Sequence, residues 1–222
     1  MSRLAERRAF NRQVAEGLAR EPVGPERLPA DTSARRFHAV RVNGAFDYDR
    51  EIVLTSRIRR GAPGVHVFTP LRRAGNDTAV LVNRGWIYSP DGAEADLSGW
   101  RDADTVAVSG WVDRFAEPSS RPITASANPR GVHRLDFVQI RKRFPYPVAP
   151  YVIVWTDSVA APRASTLPAR LGTPDLTEGS HLSYAIQWFS FAAIGLVGIV
   201  VFIRKTRRSS MIRPEINGRP RI

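Results

Sequence analysis

The residues best placed to do chemistry stand where the longest apolar run begins. His181, Tyr184 and Trp188 are spaced i, i+3 and i+7, so a helix sets them on one face with Gln187 adjacent. A neutral imidazole there can ligate a haem iron, aromatic neighbours can wall a macrocycle, and a glutamine can bond its polar substituents. The same residue types also form the anchor belt of a membrane interface. The spacing alone leaves both readings open. A second constellation is Val82-Asn83-Arg84-Gly85-Trp86, closing an apolar run. Read structurally, Gly85 serves a bulge or turn, Trp86 plugs a core and Arg84 pairs with a carboxylate of the body. Read functionally, Arg84 and Trp86 form a surface for a partner subunit, or Arg84 grips a haem propionate bidentately.

The remaining polar residues are less suggestive. His38, His66 and His133 are scattered without metal-ligand spacing, and there is no cysteine to supply a thiolate, a disulfide or an Fe–S ligand. Asp47, Asp49 and Glu51 alternate, which predicts one solvated strand edge, and Asp102 and Asp104 read as loop residues. G-x-G-x-x-G, Walker, H-E-x-x-H and G-x-S-x-G patterns are all absent. The expectation is a protein that is not an enzyme and has no protein metal site beyond His181 as a haem iron ligand.

The elements that must position these residues follow from periodicity. Residues 184–203 form a 20-residue run without a charge, long enough at about 1.5 Å per residue to cross about 30 Å of hydrocarbon. This predicts one C-terminal transmembrane helix. Phe10, Val14 and Leu18 recur at helical spacing and Pro22 stops them, predicting an N-terminal helix over 1–22. Between the two, strands are expected at residues 38–46, 51–57, 65–72, 78–86, 105–113, 137–141 and 151–157, with a hairpin at Gly75-Asn76-Asp77. Residues 115–135 and 158–183 are rich in proline and read as a long loop and a connection to the membrane. The fold class is therefore α+β and membrane-anchored: a mostly antiparallel β domain over 23–157, shaped as a small barrel or curled sheet, with helices at both ends.

Charge placement sets the topology. Of the formal +12, residues 204–222 carry seven basic groups against one acid, whereas residues 38–203 carry 18 against 15. A basic tail after an apolar run predicts a cytoplasmic tail and an extracytoplasmic body. The nearly balanced body, with no aromatic–basic platform, argues against a nucleic-acid partner. Only Lys142 and Lys205 are lysine among 33 basic residues, which suggests a GC-rich, bacterial source and hence the plasma membrane. The first twenty residues contain no apolar export segment, so a first transmembrane helix upstream of Met1 is expected, lost through a wrong start site or a truncation.

Three patterns in order carry a family resemblance: Gly61-Ala62-Pro63-Gly64 through Thr69-Pro70-Leu71; Val82 to Trp86; and Glu178-Gly179-Ser180-His181-Leu182 followed by Tyr184 to Phe189. Together with the C-terminal span, over roughly residues 3–205, they resemble the surfeit locus protein 1 family. The resemblance implies an assembly factor for haem–copper cytochrome c oxidase. Such a factor assists haem a insertion or steadies the catalytic subunit, with that subunit and the haem a synthesis machinery as partners. It also favours His181, Tyr184, Gln187 and Trp188 as a transient haem a site, and Arg84 and Trp86 as contacts to an oxidase subunit. A permanent accessory subunit of the oxidase, or an unrelated single-pass binding domain, remain the alternative expectations.

Overall fold

The computed structural model describes residues 3–124, 128–156, 168–174, 176 and 181–210, the side chains of 3, 4, 181–183, 185 and 206–210 excepted. Two compact units are present, one spanning Arg8–Leu176 and one containing the C-terminal helix with residues 2–7. The first unit is built on strands β1 (Ala39–Phe46), β2 (Ile52–Arg59), β3 (Ala62–Arg73), β4 (Asn76–Tyr88), β5 (Val106–Asp113), β6 (Gly131–Val132) and β7 (Val148–Trp155). Their order, β1-β5-β7-β4-β3, closes because β1 also pairs with β3. The result is a five-strand barrel, with β2 and the two-residue β6 added outside β3. All the barrel pairs are antiparallel except β4–β7, so the mostly antiparallel expectation holds.

Closure depends on β1 changing partners along its length. Ala39 to Gly44 pair with β5, and Ala45 and Phe46 pair with Arg72 and Leu71 of β3. Gly44 sits at the change; a Cβ there would stand 2.3 Å from the Arg72 carbonyl oxygen. The expected hairpin is present between β3 and β4, with Arg73 opposite Asn76 and Gly75 at φ +69°. The absence of a Cβ lets glycine hold that turn.

The alternation of β-branched residues divides the core. Val80 and Val82 of β4 join Val40, Val42, Leu71, Val108, Val112 and Ile153 in one cluster. Leu81, between them, points the opposite way and joins Ile52, Phe68, Val152 and Ile140 in a second. Residues 115–144 cover this second face through Phe115, Ile123, Leu135 and Phe144. Helix α1 (Arg3–Leu18) lays Phe10, Val14 and Leu18 against Phe37, Trp111 and Val154, so the predicted apolar stripe is its packing face.

One strand expectation is corrected. Residues 137–141 do not form a strand: Phe137–Ile140 is a single helical turn, α3, after the four-residue turn α2 (Thr32–Arg35). The Asp136 carboxylate caps α3, accepting from the backbone N–H of Val138 and Gln139 at 2.9 and 3.3 Å. Capping there outweighs the β preference of Phe137, Val138 and Ile140. The loop expected over 115–135 contains β6, paired in parallel with Val53 and Leu54 of β2.

The second unit contains α4 (His181–Ser210), whose apolar stretch Ile186–Lys205 is exposed along its length. A core helix would be buried, so the exposed apolar surface favours a lipid environment and is compatible with a membrane anchor. Much of the Pro-rich connection over 158–183 and the tail beyond Ser210 lie outside the described residues.

Candidate functional site

The Val82–Trp86 motif is the polar centre of the barrel. The β3–β4 register steps from Val67 opposite Gly85 to Phe68 opposite Asn83, leaving Arg84 as the extra residue of a β-bulge. The Asn83 side-chain oxygen accepts from Gly85 N–H at 3.0 Å and holds the bulge. Gly85 is at φ +133° and lies against Ala169, whose carbonyl oxygen would stand 2.4 Å from an added Cβ. The bulge turns the Arg84 side chain inward, where it is 1% exposed.

Arg84 is held by two acids. Nη1 donates to Glu51 Oε1 and Nη2 to Asp102 Oδ2, both at 2.8 Å, and Nη2 also donates to the Trp100 carbonyl. Phe46 and Tyr48 present their rings to the guanidinium at 5.3 and 5.0 Å. Glu51 also accepts from Thr69 Oγ1 at 2.7 Å. Burial pushes the Glu51 carboxyl above the usual carboxylate range, against the opposing hydrogen bond from Thr69 and the charge of Arg84. A second arginine joins from the far end of the unit. Arg170 lies 3.6 Å from Asp102, donates to the Arg84 carbonyl and stacks 3.5 Å over the Trp155 ring. The segment carrying it is pinned by a two-way backbone bridge between Trp86 and Ala169, each bond 2.8 Å.

Trp86 is also enclosed. Its ring lies over Gly64, where a Cβ would stand 2.4 Å from the indole, and its Nε1 donates to the Arg57 carbonyl at 3.4 Å. The first two sequence motifs are thus cross-strand neighbours, with Gly64 opposite Tyr88 and His66 opposite Trp86. Arg84 is 1% and Trp86 8% exposed, so both are buried and brace the barrel.

Sequence reasoning missed three members of this network. Glu51, expected on a solvated edge, is 5% exposed because Tyr48–Arg50 forms a 3-10 turn that interrupts the alternation and sends its side chain inward. Asp102 and Arg170 lie in irregular segments with no local signal, and only the closed barrel brings them to Arg84. The body carboxylate paired with Arg84 in the structural reading is real, and there are two of them.

The other constellation lies on α4. Its backbone begins at His181, and helical geometry gives His181, Tyr184 and Trp188 one stripe with Gln187 beside it. The His181 side chain lies outside the described residues. Tyr184 and Trp188 are 59% and 71% exposed, and Trp188 makes an edge contact with Phe191 at 6.3 Å. Of the other histidines, His66 is near Asn83, whose Nδ2 is 3.5 Å from His66 Nδ1, and burial, then the Arg57 charge, pull its pKa down to about 4. His38 is likewise held below its ordinary value, by burial and then by Arg20.

Fold and site together define a class: a small barrel domain braced by a buried ion-pair network and continued into a long apolar helix compatible with a membrane anchor. The profile of the SURF1 family matches residues 1–193, and the chain belongs to that family. It is similar to a SURF1-like protein of Monosiga brevicollis, 27% identical over 208 residues, which is 88% of this chain and 77% of that one. Uncharacterized SURF1-like proteins of Mycobacterium bovis and Mycobacterium tuberculosis are each 27% identical over 215 residues, 92% of this chain and 76% of theirs. The family is known in general for oxidase assembly factors and is not a known enzyme class.

Proposed function

We propose that this protein is a membrane-bound assembly factor for haem–copper cytochrome c oxidase, assisting haem a insertion or steadying the catalytic subunit during biogenesis. The observation that carries the reading is the extent of the family match. It runs through the whole barrel and into α4 as far as residue 193, so it includes His181, Tyr184, Gln187 and Trp188. In this reading the helix lies in a bacterial plasma membrane, the barrel is extracytoplasmic and the basic tail is cytoplasmic. The partners are the oxidase catalytic subunit and the haem a synthesis machinery.

Haem a is cargo in this reading, and the donor set fits it. His181 supplies one imidazole, while Tyr184 and Trp188 leave ring faces open for a planar macrocycle. The cargo brings the redox iron that the oxidase requires; the chain's own residues hold and orient it. Gln187, beside the stripe, would bond a polar substituent of the macrocycle. The barrel supplies a docking body, since its polar centre is turned inward, with Arg84 held by Glu51 and Asp102, rather than presented to a substrate.

The test is the haem a content of oxidase purified from a deletion strain complemented with wild type or His181→Ala. Wild type should restore haem a, and His181→Ala should leave it depleted. Normal haem a in the uncomplemented strain would overturn the assembly reading. Full restoration by His181→Ala would overturn only the ligand assignment. Enrichment of the protein on haem-deficient intermediates is expected; stoichiometric recovery with mature, active oxidase would instead identify a permanent subunit.

A further inference from the structure

Positive charge on the barrel unit is concentrated in one short segment. Arg130, Arg134, Arg141, Lys142 and Arg143 stand within residues 130–143, with Asp136 the one acid. The Asp136 carboxylate is turned inward, accepting from the backbone N–H of Ser119 at 2.7 Å as well as those of α3. Residues 8–176 hold 24 basic and 18 acidic groups, so without this segment they hold 19 and 17. Most of the basic surplus of the barrel unit therefore has an address.

Two of these cations line a hollow of ≈ 390 Å³ together with Arg50, against an apolar wall of Ile52, Pro129 and Phe144. Arg130 and Arg143 have no carboxylate partner among the described residues. Among the described residues Arg130 makes no ion pair or side-chain hydrogen bond, and it acts on Glu51 only through space. Arg143 has one long bond, 3.4 Å, to the Pro129 carbonyl, and burial holds its pKa below the usual guanidinium value. Arg50 is 3.6 Å from Asp47. Of the acids in the wall, Glu51 is already committed to Thr69 and Arg84, leaving the exposed Asp49, while Asp47 outside the wall is the ion-pair partner of Arg50.

A guanidinium fork with no carboxylate partner, drawn partly out of water as Arg143 is, gains by receiving an oxyanion. A carboxylate offers two oxygens, enough for one fork. A phosphate offers oxygens on every side and suits three guanidiniums converging on one hollow. We propose that the hollow between Arg50, Arg130 and Arg143 binds a phosphate group, presented either by an anionic phospholipid headgroup or as free phosphate. This inference is independent of the haem reading, because it uses no residue of α4.

The test is calorimetric titration of the full chain in non-ionic detergent. The probes are inorganic phosphate, short-chain phosphatidylglycerol and short-chain phosphatidylcholine, against chloride at equal ionic strength. Phosphate should bind, and Arg130→Ala/Arg143→Ala should weaken it by about tenfold or more, the loss of at least one charge-assisted hydrogen bond. Arg141→Ala/Lys142→Ala removes the same charge from exposed positions outside the hollow and should leave binding within about twofold. Tighter binding of phosphatidylglycerol than of free phosphate identifies a headgroup site, and the reverse order identifies a soluble phosphate site. Equal affinity in wild type and Arg130→Ala/Arg143→Ala, or equal loss in both double variants, would overturn the proposal. Near-ultraviolet circular dichroism checks that each variant is folded, and Arg130→Gln, at an exposed position, repeats the test with a smaller change.

Discussion

Arg84 has each arm of its fork committed to a different acid inside the barrel, so its partners are left charged and buried when it is removed. Arg84→Ala should cost about 3–5 kcal/mol, the penalty for breaking a buried pair from one side. Arg84→Lys should recover little, because one ammonium cannot span Glu51 and Asp102 in the fork geometry. Denaturant unfolding of the full chain measures both, with exposed Arg41→Ala expected within about 0.5 kcal/mol of wild type. His66 gives a pH signature of its own. Its folded pKa lies near 4, below the ordinary 6.5, so the unfolded chain takes up the proton first as pH falls. The stability His66 contributes is present above pH 6.5 and is lost as pH drops toward 4. His66→Gln should flatten that part of the acid limb, read from unfolding midpoints at a series of pH values. At this scale the sequence exposed half of the site. Arg84 could be singled out because Asn83 and Gly85 mark a bulge locally. Glu51, Asp102 and Arg170 could not, since their partners lie 33, 18 and 86 residues away along the chain.

Among the elements, the bridge from β4 to the 168–171 segment is the most exacting. An added Cβ at Gly85 would meet Ala169 O at 2.4 Å, and φ +133° already disfavours any side chain. Gly85→Ala should therefore cost roughly 2–4 kcal/mol through strain and the loss of two backbone bonds. Hydrogen exchange should show the Trp86 and Ala169 amides losing protection. Gly99→Ala, with open space around its Cβ, should be nearly neutral in the same assay. Most of the strands were legible because β-branched residues recur at every second position and glycine or proline bounds them. The helix α1 was legible for a related reason: Phe10, Val14 and Leu18 mark a face, and the structure buries that face. The misread segment, 137–141, has the composition of a strand but the punctuation of a helix. Asp136 at the start of α3 is a cap signal, its carboxylate accepting from the Val138 and Gln139 amides, and a local cap wins where the preceding β6 is only two residues long. The strand pattern left a small barrel and a curled sheet both open, since closure rests on Gly44 allowing β1 to change partners midway.

For the whole molecule the decisive quantity is the asymmetry of charge about α4. The described part of the helix exposes Trp188, Phe189, Ile194, Leu196 and Phe202, a surface that water would not tolerate alone. In the proposed topology that surface lies in lipid, and the basic residues following Ile203 in the sequence are expected on the cytoplasmic side by the positive-inside rule. The chain has no cysteine, so single cysteines are clean reporters of sidedness. Gly99→Cys places a thiol in an open loop of the barrel unit, and Ser209→Cys places one past the apolar stretch. In intact cells with a permeabilised outer envelope, a membrane-impermeant maleimide should label Cys at position 99 and spare Cys at position 209 until lysis. Val197→Arg, at the middle of the stretch, adds about 2.5–3.5 kcal/mol to insertion and should shift the protein toward the carbonate-extractable fraction. Replacing Arg204, Lys205, Arg207 and Arg208 with glutamine should blur the labelling contrast without releasing the protein, because those charges orient the helix while its apolar length retains it. Labelling of position 209 before position 99 in the unmodified background would reverse the topology. It would also remove the extracytoplasmic docking body from the proposed assembly role.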